Sequence, residues 1–61
     1  MIERYIVEDQ LGNYQAGYNV ALGEKKSKAM AYQTAKQING KVVAVEETGE
    51  SKVIFNKTQA K

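Results

Sequence analysis

Four carboxylates lie in adjacent pairs, Glu8 with Asp9 and Glu46 with Glu47, and Lys25, Lys26 and Lys28 crowd one short stretch. With no His and no Cys in the chain, paired acids are the arrangement left for proton transfer near neutral pH. Adjacent residues on a strand point to opposite faces, so neither pair converges on one substrate atom without a bulge or turn. Glycine-rich phosphate loops, a nucleophile elbow and an acidic metal cluster are all missing from the sequence. The expectation is a protein without catalytic residues, metal, cofactor or small-molecule substrate, in short not an enzyme.

The lysines suggest different chemistry. Lys25, Lys26 and Lys28 precede or open a helix, where the backbone dipole already places positive partial charge. Acidic residues stabilise that position, and only Glu24 supplies one. Free N–H groups with three ammoniums could hold a phosphate, with Lys36 or Lys41 adding to a nucleic-acid surface. A solvated lysine segment is the plainer reading. Tyr5, Tyr14, Tyr18 and Tyr32 could stack bases on an open sheet. Tyr14 and Tyr18, however, alternate with Ala16 and Val20 on one face, which is expected to meet the helix.

The elements that must position these groups follow from periodicity. Ile2 to Glu8 is β-branched and aromatic, and Tyr14 to Val20 alternates apolar with polar; both are predicted strands. Gly12, between Asp9 and Asn13, suits the turn joining them. Gly17 inside the second strand points to a bulge or a close backbone approach. A helix is predicted from about Ser27, as N-cap, to Ile38, with Asn39-Gly40 as its left-handed stop. Met30, Ala31, Thr34, Ala35 and Ile38 gather on its packed face. Strands at Lys41 to Glu47 and Lys52 to Lys57 flank a turn at Gly49, and residues 58–61 read as a frayed tail.

The expected fold is α+β: a single domain over 1–61 in a two-layer ββαββ arrangement, a four-stranded sheet with one helix packed on one face. Two strand orders fit this pattern. A β-grasp-like order puts the first and last strands in the middle, and a sequential order puts the second beside the third.

At 61 residues the core is small, and no disulfide or zinc site can supplement it. Nine basic against seven acidic residues leave a net charge of +2, well short of a polybasic chain. No apolar stretch is long enough to span a bilayer, and no signal peptide is evident at Met1-Ile2-Glu3-Arg4. A cytoplasmic protein is expected. Asn56-Lys57-Thr58 matches a glycosylation sequon by chance on that view.

Excess apolar surface is the strongest functional signal. One helix covers one sheet face, yet three strands carry apolar residues on both. Tyr5 and Val7 oppose Ile2 and Ile6; Val43 and Val45 oppose Val42 and Ala44; Val53 and Phe55 oppose Ile54. The set Ile6, Val42 and Ile54 is the expected partner-binding surface on the uncovered face. The function expected is binding of another protein, or of a second copy as a homodimer, through that face or a strand edge. The alternative is nucleic-acid binding through Lys25, Lys26 and Lys28.

The stretch GNYQAGYNVALGEKKSKAMAYQTAKQINGKVVAVEE, a Tyr-rich hairpin and a Lys/Ala helix ending in Asn-Gly before a valine-rich strand, resembles small proteins of phages and mobile elements of Gram-positive bacteria. That resemblance implies a compact protein binding a host or phage macromolecule, and it assigns no functional residue. The layout is also similar to immunoglobulin-binding ββαββ domains of bacterial surfaces. The missing signal peptide and anchor speak against that role.

Overall fold

The computed structural model describes residues 1–57; the expected tail at 58–61 lies outside them. The chain forms β1 (Ile2–Glu8), β2 (Tyr14–Asn19), one 3-10 turn (Val20–Leu22), α1 (Glu24–Ile38), β3 (Lys41–Glu46) and β4 (Ser51–Asn56). All strand pairings are antiparallel, in the order β2-β1-β3-β4, and α1 lies across one face. The ββαββ expectation is met.

The strand order is neither of the two the sequence allowed. β1 and β3 take the centre, and β2 and β4 are the edges. The two central strands are apolar on both faces, through Tyr5, Ile6 and Val7 in one and Val42 to Val45 in the other. Central positions give each apolar strand side-chain neighbours on both flanks, whereas one-sided β2 and the Ser51–Lys52 end of β4 tolerate an edge. β2 and β3 therefore run parallel with β1 between them, and α1 makes the crossover.

Local chemistry sets the element ends. The Asp9 carboxylate accepts from the backbone N–H groups of Leu11 and Asn13, both at 2.9 Å, and closes the first hairpin. Asn19 accepts from the Ala21 N–H at 2.8 Å, so β2 stops there and the chain turns. The helix begins three residues before the expected start. Gly23 is its N-cap, without a side-chain cap, and Ser27 sits inside the helix, buried, donating to the Asn19 carbonyl at 2.7 Å. Asn39 carries the left-handed conformation at the helix end, with φ 56° and ψ 39°.

The core joins Tyr5, Val7, Val42 and Ala44 of the sheet to Ala31 and Ala35 of the helix. Small helix residues let α1 sit close to the strands. Ser27, Ala31 and Ala35 are its buried positions; Met30 and Thr34 lie at the margin, and Ile38, expected in the core, is 40% exposed. Tyr18 and Thr34 share a hydroxyl hydrogen bond of 2.8 Å on the β2 side. Tyr32 stacks on Phe55 on the β4 side, with centroids 4.9 Å apart.

Three bulges redirect side chains. Between β1 and β3, Ile2 pairs with Glu46 and Arg4 with Val45, leaving Glu3 extra. Between β3 and β4, Val42 pairs with Phe55 and Val43 with Val53, leaving Ile54 extra. Between β1 and β2, Val7 pairs with Ala16 and Glu8 with Tyr14, leaving Gln15 extra. One residue of register moves a side chain to the other face. Ile2 and Ile54 thus pack against the core on the helix side, and Tyr14 moves to the uncovered side.

Candidate interaction face

With the register fixed, the uncovered face reads as three rows across the sheet. Gly17, Ile6, Val43 and Val53 form the central row. Asn19, Arg4, Val45 and Ser51 lie on one side of it, and Tyr14, Glu8 and Lys41 on the other. The Tyr14 ring leans along its strand over Gly17, where a Cβ would stand 2.7 Å from the Tyr14 hydroxyl oxygen. Gly17 therefore lies near a bulge, and what approaches it closely is a side chain, not the expected backbone.

The face is apolar in its middle and ionic at its ends. Val43 and Val45 are almost wholly shielded, while Val53 is 48% exposed and Tyr14 65% exposed. The Lys41 ammonium lies 3.8 Å from the Glu8 carboxylate, and the Arg4 guanidinium 3.8 Å from that of Glu3. Both ion pairs are part-exposed and contribute little to stability. Arg4, Glu8 and Lys41 are the charged groups of the three rows, and Glu3 stands beside Arg4.

The expected partner-binding residues do not lie together. Ile6 is on the uncovered face, in the central row. Val42 is fully buried beneath α1, because its antiparallel neighbour in β1 is Val7 of the helix side. Ile54 is turned to the helix side by the bulge that carries it. There it lines a cleft of about 540 Å³ with Ile2 and Ala44, rimmed by Glu46, Glu50, Ser51 and Lys52. Alternation gave two candidate sets on β3 and on β4, and only strand pairing selects Val43 and Val53.

Lys25, Lys26 and Lys28 are exposed in the opening turns of α1 rather than in a loop before it. At about 100° per residue, Lys26 and Lys28 point roughly 160° apart, so the three do not converge. Lys28 instead lies over the Tyr32 ring, 5.8 Å from its centroid.

The carboxylates of the first adjacent pair are occupied by the fold. Glu8 faces Lys41, while Asp9 is held below its ordinary pKa chiefly by the Asn13 backbone N–H. Tyr5 donates to Glu24 at 3.3 Å, and burial, then that carboxylate, raises its phenol pKa. Among the described residues no three His, Cys, Asp or Glu side chains gather to hold a metal ion. Among them too, no helix is long and apolar enough to cross a membrane. Comparison with family models, with curated proteins and with solved structures gives no match.

Proposed function

We propose that this chain is a non-enzymatic interaction module that docks a protein partner on its uncovered sheet face. The observation that carries the reading is the central row, Ile6, Val43 and Val53, apolar across three strands and, among the described residues, on the face opposite α1. An apolar patch framed by ion pairs has the layout of a small interface, with a dry centre and a polar rim. The face is favoured over the strand edges, because each outer strand is bent by a bulge in its ladder with β1 or β3, and β4 adds Lys52. Such features discourage a further strand from joining the sheet. On the phage resemblance, the partner would be a host or phage macromolecule.

The test is capture of partners by the tagged chain, after nuclease treatment, compared with Val53→Asp and Ile6→Asp. Partners lost with both variants, while circular dichroism stays native, support the face. Equal retention by both variants removes it. Nucleic-acid binding through Lys25, Lys26 and Lys28 draws less support, since those side chains diverge around the helix. It predicts binding that weakens steeply with salt and that a triple reversal to Glu abolishes.

A further inference from the structure

The uncovered face is complementary to itself. Arg4 and Glu8 lie on the same strand, two residues to either side of Ile6, and all three point to the uncovered side. A two-fold axis along the row Ile6, Val43, Val53 lays β1 of one copy over β1 of another, reversed in direction. Ile6 then meets Ile6, Val53 meets Val53, and each Arg4 stands over the other copy's Glu8. We infer that the partner of this face is a second copy of the chain, in a face-to-face sandwich about that axis. This inference rests on the interaction face proposed above and names its occupant.

Charge distribution supports the same arrangement. The chain's net charge is +2, yet Arg4 and Lys41 are balanced on or beside this face by Glu3 and Glu8. The excess sits on α1, where Lys25, Lys26, Lys28 and Lys36 face a single Glu24. α1 lies on the far side of each sheet, so the sandwich keeps the two positive layers apart. Aligned sheets pack about 10 Å apart, which suits a middle layer of Ile and Val. Four strands spaced about 4.8 Å and roughly 20 Å long offer a plan area near 400 Å² per copy. Doubled, that is about 800 Å² in all, below the roughly 1,200 Å² at which stable specific interfaces begin, so the dimer is a weak one, with a Kd of about 10 μM or above.

The test is sedimentation equilibrium of the full chain from about 10 μM to about 1 mM, a range that brackets such a Kd. Wild type is expected to shift from monomer to dimer. Arg4→Glu alone, and Glu8→Arg alone, place like charges in apposition twice per dimer and are each expected to weaken it about tenfold. An equimolar mixture of the two variants restores both pairs and is expected to recover most of the loss. Wild type that stays monomeric, single reversals without effect, or a mixture no tighter than its components would each overturn the inference.

Should Glu8→Arg disturb the fold through Lys41, cross-linking replaces the reversals, since the chain has no Cys of its own. Mixed R4C and E8C are expected to oxidise to a heterodimer in clear excess over either variant alone; equal yields overturn the axis. The broader reading fails separately. A monomeric chain that still captures another protein in a Val53-dependent manner loses the dimer and keeps the face. A monomer whose captures ignore Val53→Asp loses both.

Discussion

Gly40 lies directly against the carbonyl oxygen of Glu8, so closely that a Cβ at position 40 would collide with it. This contact brings the end of β1 to the start of β3, and the Gly40 N–H returns to the Ala35 carbonyl at 2.8 Å. The left-handed residue is Asn39, and Gly40 is not among the positive-φ glycines. Glycine is therefore required at 40 for space, not for backbone freedom. Gly40→Ala is expected to cost about 2–3 kcal/mol, as overpacking against a backbone atom does. Asn39→Gly should be neutral or stabilising by about 0.5 kcal/mol, since it relieves a left-handed side chain. Urea denaturation of the two variants checks this, and a harmless Gly40→Ala would refute the contact.

Ser27 offers a sharper contrast. As an N-cap it would tolerate Gly almost as well as Ser, within a few tenths of a kcal/mol, while Ala would cost about 1 kcal/mol. Inside the helix the order inverts. Ser27→Ala loses a buried hydrogen bond to the Asn19 carbonyl, about 1–2 kcal/mol. Ser27→Gly loses the same bond and adds about 1 kcal/mol of helix penalty. Chemical denaturation should rank Gly below Ala; the opposite ranking would return Ser27 to the helix start.

The elements were legible in the sequence because each has a period or a punctuating residue of its own. Ala31 and Ala35 mark the buried side of α1, and Gly12 and Gly49 both adopt the positive φ of their hairpins. Side-chain placement was legible only where alternation runs unbroken, as from Arg4 to Glu8. Glu3, Gln15 and Ile54 each interrupt it, and an extra residue is defined only against a neighbouring strand. Alternation alone accordingly puts Ile2, Tyr14 and Ile54 on the wrong faces. Val42 failed for a related reason: two apolar sets on β3 are equivalent until Val7 and Ile6 are known to be their neighbours. Strand order, which supplies those neighbours, has no local signal.

Two side chains contribute to the pH dependence of the fold in opposite directions. The Asp9 carboxyl lies below its ordinary value of 3.8, chiefly through the Asn13 backbone N–H, with Asn13, Leu11 and Gln15 adding further bonds. Its contribution is complete above the unfolded value and is lost as pH falls through the folded one. Asp9→Asn should flatten stability between about pH 4 and about pH 2. Tyr5 lies above its ordinary value of 10.0, through burial first and the Glu24 carboxylate second. Its contribution is complete below 10.0 and is lost as pH rises through the higher folded value. Tyr5→Phe should blunt the alkaline loss. Thermal melts across both ranges check the signs, and unchanged slopes in the variants would remove either group from the account.

The lysines at the start of α1 give a prediction that separates stability from function. Lys25 and Lys26 occupy the first turn, whose only acidic residue is Glu24, and both are exposed. Replacing them with Glu converts an unfavourable dipole interaction into a favourable one, worth about 0.3–1 kcal/mol per site at low salt. Lys25→Glu/Lys26→Glu should therefore raise the melting temperature, and the gain should shrink as salt is added. Lys28→Glu lies beyond the first turn and loses the contact with the Tyr32 ring, so it should not share the gain. If the sheet face is the working surface, the stabilised double variant binds its partner as wild type does. A variant that is more stable and no longer binds would place the function on the helix, where a poorly suited charge is kept for what it holds.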